Sequence, residues 1–154
     1  MSSTTTTVGC PHCGQTNRVP VATKGTPRCA KCHQPLPWII DAGDADFAEI
    51  AEQASVPVLV DLWAEWCGPC RQVSPVLAQL ARERAGKVKL VKVDVDTAPG
   101  LSQRYDVRAI PTLILLRKGT VIARQTGAAP TNVLRDWLDR ALSSSDVSAG
   151  PTGT

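Results

Sequence analysis

From Trp38 onward, apolar runs alternate with segments in which apolar positions recur at helical spacing. Nearly continuous apolar runs of strand length predict strands buried in a sheet. The predicted strands span 38–40, 56–63, 88–95, 112–116 and 121–126. The first is a short run, and the last two form a hairpin across Lys118–Gly119. Apolar residues sharing one helical face predict helices between them, over 44–53, 69–85, 100–105 and 131–142. The order β-α-β-α-β-α-β-β-α predicts an α/β fold, a mixed sheet with helices on both faces.

Individual residues mark the ends of the first two helices. Asp44 is placed to cap the first helix through its side chain. Pro69 is placed in the first turn of the second helix, where its missing N–H costs nothing, and Gly86 follows the last turn. Pro75 lies inside the second helix and predicts a kink.

Composition divides the chain into four segments. Residues 1–7 are a Ser/Thr tract and residues 143–154 are rich in Ser, Gly and Pro. Neither segment can bury enough apolar surface to offset the entropy of ordering, and we expect both to be disordered tails. Residues 8–37 are dense in Gly, Pro, Cys and Lys. They form a module that a hydrophobic core alone cannot stabilise. Residues 38–142 form the main domain.

Composition also narrows the partners and the compartment. Of 154 residues 43% are apolar, which is close to the average of globular proteins. A net charge of +3 does not indicate a nucleic acid or a membrane surface as a partner. No apolar run reaches the roughly 18 residues that span a bilayer. The polar N-terminus lacks the basic start and apolar stretch of a secretory signal, and we expect a cytoplasmic protein. In a reducing compartment, six cysteines are more often ligands or catalysts than structural disulfides.

Cys67 and Cys70 lie where a predicted strand passes into a predicted helix. The N–H groups and dipole at a helix N-terminus favour negative charge, and therefore the nucleophilic thiolate. Cys70 lies one turn further along and can attack a mixed disulfide formed at Cys67. We therefore assign Cys67 as the attacking thiol and the more exposed one, and Cys70 as the resolving thiol. The alternatives are that the two cysteines are small buried residues or that they form half of a metal site. This part of the chain contains no other Cys or His that could complete such a site.

Asp61 is a carboxylate within the apolar strand 56–63. Burying it in the ionised form is costly, so its pKa should rise. Near Cys70, such a group could accept the proton of the thiol as it attacks. The alternative is an aspartate that points to solvent from a half-exposed strand.

The run Val60–Cys70, VDLWAEWCGPC, closely resembles the active-site strand and turn of the thioredoxin family. The resemblance covers about 38–142 and continues through Pro75, 92–94, 110–112, Gly119 and Gly127. It implies the thioredoxin fold, and the activity of a protein-disulfide reductase that works by dithiol–disulfide exchange. With the cysteine-rich N-terminal segment included, the chain resembles the zinc-binding second thioredoxin of bacteria.

The resemblance also implies roles for single residues. Asp61 is the proton acceptor for Cys70, with Lys92 as its neighbour on the next strand. The Ile110–Pro111 peptide bond is cis, which places Pro111 against the cysteines and frees the Ile110 backbone to pair with a substrate strand. Residues around the cysteines and in the last loops bind the substrate: Trp66, Gly68, Pro69, Ile110, Gly127 and Ala128.

By the same resemblance, the protein holds no redox cofactor and receives electrons from NADPH through a flavin-dependent thioredoxin reductase. Its substrates are oxidised proteins. The Gly68–Pro69 pair between the cysteines matches the reducing branch, with an oxidase or isomerase as the close alternative. A different class also remains open, a non-catalytic binding or assembly module that uses the thioredoxin surface without redox turnover.

Four further cysteines form two Cys-x2-Cys motifs separated by fifteen residues: Cys10, Cys13, Cys29 and Cys32. Two such motifs at this spacing predict a tetrahedral structural zinc site in a zinc-ribbon-like module. Binding the ion would supply folding free energy that this segment lacks. Four thiolates leave no open position, so the ion is interpreted as structural. The alternatives are reactive or disulfide-forming pairs, or iron in a rubredoxin-like site.

The module has a small positive patch. Its basic residues are Arg18, Lys24, Arg28 and Lys31, with no acidic residue in 8–37. No aromatic residue on which a base could stack precedes Trp38, and we do not expect nucleic-acid binding. His12 and His33 adjoin the cysteines and are interpreted as residues outside the ligand set. We hypothesise that the module adjusts substrate choice or redox response, because oxidation could eject the metal.

Overall fold

The structure is a computed structural model that describes residues 5–23 and 25–144. The predicted disordered tails fall largely outside these residues, at 1–4 and 145–154. Among the described residues, no helix is both long enough and apolar enough to cross a membrane.

The N-terminal module begins with two antiparallel strands, β1 (Thr5–Gly9) and β2 (Thr16–Pro20). Strand β1 includes residues 5–7, which we had assigned to the disordered tail, and the structure contradicts that part of the assignment. Threonine is β-branched and favours extended backbone, and each of these residues pairs with β2. Backbone pairing therefore orders a segment that has too little apolar surface to order itself by burial.

The main domain is built on a five-stranded mixed sheet in the order β3-β5-β4-β6-β7. Strands β3, β5 and β4 are parallel, whereas β6 is antiparallel to β4 and β7 is antiparallel to β6. The bounds are β3 (Ile39–Asp41), β4 (Val58–Trp63), β5 (Lys89–Asp94), β6 (Thr112–Arg117) and β7 (Thr120–Thr126). The predicted hairpin is confirmed, because Lys118 and Gly119 join β6 to β7 with φ of 51° and 82°. Two positive φ values give a turn whose twist matches that of the strands.

Helices cover both faces of the sheet, which confirms the predicted architecture. Helices α1 (Gly68–Glu83) and α3 (Thr131–Ser144) pack on one face. Helix α2 (Pro99–Arg104) and a π-helical segment, Ala48–Glu52, pack on the other.

The side chains of β4 alternate between these two faces. Leu59 lies in the core with α1 and α3, whereas Val60 lies in the core with α2 and the π-helical segment. The same alternation directs Asp61 toward α1.

The first predicted helix is shorter than expected, because only the π-helical segment Ala48–Glu52 forms. Asp44 does not cap it. The Asp44 carboxylate instead accepts hydrogen bonds from the N–H groups of Gly100 at 2.9 Å and Leu101 at 2.8 Å, in the first turn of α2. Those N–H groups have no partner within their own helix, so a carboxylate from a distant loop stabilises them.

The N-terminal module shares its core with the main domain. Its buried residues Val19 and Leu36, together with Trp38, belong to the same apolar cluster as Phe47 and Ile50. The module has few apolar residues of its own, and the main domain supplies the apolar contacts that its buried side chains need.

Lys89 is wholly buried where the module meets the sheet. Its Nζ donates hydrogen bonds to the carbonyl oxygens of Val21 at 2.6 Å and Ile50 at 2.7 Å. The ammonium lies 3.9 Å from the centroid of the Trp38 ring, whose Nε1 donates to the Pro20 carbonyl at 3.0 Å. Burial lowers the pKa of Lys89 to about 8. One buried side chain therefore joins the module, the sheet and the π-helical segment.

Replacing Lys89 with Met keeps most of the apolar stem but leaves two carbonyl groups without their donor. An unpaired buried acceptor costs about 1–3 kcal/mol, so Lys89→Met should lower the free energy of unfolding by about 2–4 kcal/mol. Urea denaturation of the oxidised protein, followed by tryptophan fluorescence, measures the change. The control is Lys87→Met at an exposed lysine, with an expected effect within about 0.5 kcal/mol. Equal stability of the two variants would contradict the linking role of Lys89.

Candidate active site and metal centre

Cys67 and Cys70 form a disulfide at the start of α1, with their Cα atoms 5.3 Å apart. Cys67 is the N-cap residue, with extended backbone (φ −88°, ψ 110°), and Pro69 lies in the first turn. The Cys70 N–H donates a hydrogen bond to Cys67 Sγ at 3.2 Å. The Cys67 sulfur therefore lies where the helix dipole and the first N–H groups favour negative charge.

Both cysteines are largely covered in the disulfide form. Cys67 is 4% exposed and Cys70 is 2% exposed, which is the expected order but a small difference. The sequence led us to expect a more open Cys67. Ala64 is buried in the same cluster, and the partly buried Ile110 packs against it. Access to Cys67 is therefore limited to a small part of its surface.

The loop before β6 lies against the cysteine pair. Its Ile110–Pro111 peptide bond is cis, as the resemblance implies. The Ile110 carbonyl oxygen is 3.9 Å from Cys67 Sγ. The Pro111 carbonyl oxygen accepts a hydrogen bond from the Gly127 N–H at 2.8 Å, and Gly127 has a φ of 93°. The structure thus brings the disulfide, the cis-proline loop and the loop after β7 together.

A groove of about 370 Å³ runs beside Ile110. Its apolar lining includes Trp66, Val95, Val107 and Ile110. The Trp66 side chain is unusually open for an indole, at 69% exposed, and its Nε1 donates to Asp96 Oδ2 at 2.8 Å. That hydrogen bond holds the indole in one orientation at the edge of the groove.

Ala128 lines a different depression. This second groove, of about 420 Å³, lies between the start of α3 and the α1 residues Gln72 and Val76. The residues that the resemblance assigns to substrate binding are therefore divided between two parts of the surface. Trp66 and Ile110 lie in one part, Ala128 lies in the other, and Gly127 adjoins the cis-proline loop.

Asp61 lies beneath the site and is 2% exposed. Its register partner on β5 is Lys92, whose Nζ donates to Ser74 Oγ on α1 at 2.7 Å and lies 5.3 Å from the Trp63 ring. Burial raises the pKa of Asp61 to about 6, and the positive charge of Lys92 opposes part of that rise. Asp61 Oδ1 has no hydrogen-bond partner among the described residues. Asp61 is therefore the buried carboxyl group that the apolar strand indicated, not the solvent-facing alternative.

The sequence pattern did not lead us to Ser74 or Asp96. Ser74 lies four residues after Cys70 on the same face of α1, and that spacing was a signal that could have found it. Asp96 contacts Trp66 across thirty positions of sequence, and no local pattern indicates such a contact.

The four cysteines of the module converge. The Sγ atoms of Cys10, Cys13, Cys29 and Cys32 all lie within 4.8 Å of one another. The Cys10–Cys32 and Cys13–Cys29 Sγ pairs are each 3.6 Å apart. No histidine belongs to this cluster among the described residues. The donor set and its compactness fit a tetrahedral thiolate site for zinc.

The two knuckles repeat the same backbone conformation. Gly14 donates its N–H to the Cys10 carbonyl, and His33 donates its N–H to the Cys29 carbonyl, both at 2.9 Å. Gly14 and His33 both have positive φ, 81° and 67°. His33 therefore occupies the turn position that glycine fills in the first knuckle. Asn17 joins the second knuckle to β2, because its Nδ2 donates to Cys29 Sγ at 3.6 Å.

The electrostatics of the cluster favour a bound cation. The backbone N–H groups of Cys32 and Lys31 lower the pKa of Cys29 to about 5. The Gln34 N–H acts in the same direction on Cys32, but burial and the neighbouring thiols raise the pKa of Cys32 to about 11. Neighbouring thiols therefore oppose the ionisation of Cys32, and a divalent cation bound by the sulfur atoms would offset that opposition.

A disulfide across the first turn of a helix is arranged for thiol–disulfide exchange, and the protein is a thiol–disulfide oxidoreductase. A family model described as Thioredoxin matches residues 38–140, and the chain belongs to the thioredoxin family. Thioredoxin C-3 of Corynebacterium nephridii is 42% identical over 136 residues, 86% of this chain and 93% of that protein. The thioredoxin of Haemophilus influenzae is 43% identical over 104 residues, 68% of this chain and 97% of that protein.

The similarity to thioredoxin C-3 reaches beyond the main domain. It covers 86% of this chain, a share that the residues from Trp38 to the end cannot supply alone. Part of the N-terminal module is therefore included in the match.

Replacement of Asp61 should change how stability depends on pH. Burial raises the pKa of Asp61 from 3.8 to about 6, so the folded protein binds this proton more tightly than the unfolded chain. The contribution of this proton to stability is therefore lost as pH rises from about 4 to about 6, and no more of it is lost above that interval. Asp61→Asn removes the titration. Its free energy of unfolding relative to the parent should therefore rise by about 3 kcal/mol between about pH 3.5 and pH 7.5.

Urea denaturation of the oxidised protein at the two pH values measures this difference. The exposed Asp136→Asn variant controls for the loss of a carboxylate, and its effect should stay within about 0.5 kcal/mol at both. An Asp61→Asn difference that does not vary with pH would be the contradicting result.

Proposed function

We propose that this protein is a protein-disulfide reductase in which Cys67 attacks and Cys70 resolves. The observation that carries the proposal is the Cys67 sulfur at the N-cap of α1, 3.2 Å from the Cys70 nitrogen. The Cys67 thiolate attacks a substrate disulfide, a mixed disulfide forms, and one substrate sulfur leaves as a thiolate. The Cys70 thiolate then attacks the Cys67 sulfur, releases the second substrate thiolate and closes the Cys67–Cys70 disulfide. Two electrons pass to the substrate.

Asp61 is the proton acceptor for Cys70 in this scheme. A carboxyl group with a pKa of about 6 can accept a proton near neutral pH and return it in the reverse reaction. Lys92, its register partner on β5, supplies the positive charge that keeps the pKa from rising further.

The substrate lies across the cis-proline loop. Ile110 precedes β6, so its backbone groups lie outside the strand pairing and can bind an extended partner strand beside Pro111. A Cβ atom at Gly68 would meet nothing within 4 Å, which supports close approach of a partner there. Pro69 holds the first turn of α1. Apolar contacts come from Trp66 on one side and from Gly127 and Ala128 on the other.

Electrons return to the protein from NADPH through thioredoxin reductase, and the substrates are oxidised proteins in the cytoplasm. Family membership supports this cycle, because the dithiol must be regenerated after each turnover and the protein's own residues carry out only the exchange. The reductase domain extends over 38–142.

Cys70→Ser should trap substrates as mixed disulfides on Cys67, because the resolving thiol is missing. Cys67→Ser is the matched control and should trap none. Incubation with insulin, followed by non-reducing electrophoresis and mass spectrometry, detects the adduct. Insulin reduction coupled to NADPH and thioredoxin reductase should proceed with the parent protein and stop in both variants. Equal trapping by the two variants, or no insulin reduction by the parent, would leave the non-catalytic binding module as the better explanation.

We propose further that Cys10, Cys13, Cys29 and Cys32 hold one structural zinc ion within a module at 8–37. The convergence of four sulfur atoms from two matching knuckles supports this assignment. The ion would cross-link the two knuckles and add the folding free energy that a small core cannot provide.

The protein purified under reducing conditions should carry about one zinc ion per chain, and Cys29→Ser should carry far less. Plasma mass spectrometry measures the metal. His12→Asn is the control, because His12 adjoins the site without belonging to the cluster, and it should keep the metal. Removal of the metal should also lower the stability of the main domain, since the two share a core. A metal content near zero in the parent protein would exclude the zinc assignment, and iron in place of zinc would change the identity of the ion.

A further inference from the structure

The Lys92 ammonium has two neighbours of different kinds. On the adjacent strand, Asp61 is its register partner and is buried. On α1, Ser74 lies one turn beyond Cys70 and accepts a hydrogen bond from Lys92 Nζ at 2.7 Å. The ion pairs found among the described residues do not include Lys92 with Asp61, and Asp61 Oδ1 has no hydrogen-bond partner there. Lys92 therefore bonds to a neutral hydroxyl while a buried carboxyl oxygen nearby has no donor.

We infer that Ser74 is a positioning residue of the exchange reaction, whose hydroxyl holds the Lys92 ammonium against α1 and so keeps the Asp61 carboxyl group free of a direct ion pair. This inference rests on the proposed role of Asp61 as the proton acceptor for Cys70. A carboxylate bound directly to an ammonium is a weaker base, because the pair stabilises its ionised form. The Ser74 hydroxyl therefore preserves the basicity that the proton transfer needs.

The charged groups around Asp61 and Lys92 determine whether loss of the Ser74 hydroxyl raises or lowers the pKa of Asp61. Lys92 is the charged group whose field acts on Asp61, and the residue opposite Asp61 on β6 is the apolar Leu113. Around Lys92 the charged groups are carboxylates, and they line a cavity of about 380 Å³ together with Lys92 and Trp63: Asp41, Asp46 and Asp94.

A released ammonium should turn toward Asp61 rather than toward those carboxylates. Asp41 is exposed, and the Oδ1 atoms of Asp46 and Asp94 already accept backbone hydrogen bonds at 2.9 Å. Asp61 Oδ1 is buried and has no partner, and attraction between charges is stronger where water is excluded. Loss of the Ser74 hydroxyl should therefore lower the pKa of Asp61 from its raised value.

The test titrates Asp61 directly in the full-length oxidised protein, in which the active-site thiols do not titrate. Carbon NMR of protein labelled at the aspartate carboxyl carbon gives the pKa in each variant. Ser74→Ala should lower the pKa of Asp61 by about half a unit or more. Ser74→Thr keeps a hydroxyl and should leave the pKa at the parent value.

The Lys92→Met variant is the control that distinguishes an effect of Ser74 through Lys92 from a purely structural effect of Ser74. If Ser74 acts through Lys92, adding Ser74→Ala to Lys92→Met should cause no further shift in the pKa of Asp61. An unchanged or raised pKa in Ser74→Ala would overturn the inference. The same shift in the presence and absence of Lys92 would overturn it as well.

A kinetic readout separates this inference from the proposed function. The pH profile for release of a mixed disulfide from Cys67 should move to lower pH in Ser74→Ala, in step with the pKa of Asp61. If Asp61→Asn slows that release but Ser74→Ala leaves the pKa of Asp61 unchanged, the positioning role fails and the proposed function stands. If Asp61→Asn releases the mixed disulfide at the parent rate, the proton-acceptor role of Asp61 fails, and the role of Ser74 in exchange fails with it.

Discussion

The chemistry of this protein depends on one junction, at which a buried strand ends and a helix begins. The first N–H groups of α1 have no partners within the helix, and that of Cys70 points to the Cys67 sulfur. This arrangement favours a thiolate only while the helix start is held in place. Leu77 and Leu80 of α1 are buried in the cluster that contains Leu59 of β4, so the strand that precedes the disulfide also anchors the helix that follows it. The cis-proline loop then closes the site from the side.

The N-terminal module lies at the opposite end of the sheet from this junction. Lys89 is the first residue of β5, whereas the cysteines follow the last residue of the parallel strand β4. A strand of six residues is about 20 Å long, and the described part of the module meets β5 at the end away from the groove beside Trp66. Its route to the active site therefore runs through the stability of the sheet, by way of Lys89 and the shared core. The hypothesis that the module adjusts substrate choice now requires an effect transmitted along the strands.

Apolar periodicity, together with the Lys118–Gly119 turn for the last hairpin, was sufficient to predict the five strands of the main sheet and its three α-helices, because burial and turn geometry leave a local trace in the sequence. It failed where a tertiary contact was decisive. Asp44 precedes an apolar helical pattern and had the features of its cap, yet its carboxylate stabilises α2 in a different part of the chain. Residues 5–7 had no apolar surface to bury, yet backbone pairing with β2 orders them.

The sequence by itself determined which two cysteines lie at the start of a helix and which four form the paired knuckles of the N-terminal module. One helical turn separates Cys67 from Cys70, and one tight knuckle separates the cysteines of each pair in the module, so short-range spacing carries both signals. Only the tertiary structure decided that Lys92 bonds to Ser74 while Asp61 keeps an unpaired oxygen, and that Lys89 is buried between the module and the sheet. These contacts join elements far apart in the chain. Their geometry follows from how a sheet, a helix and a loop pack together, and no local pattern of residues encodes it.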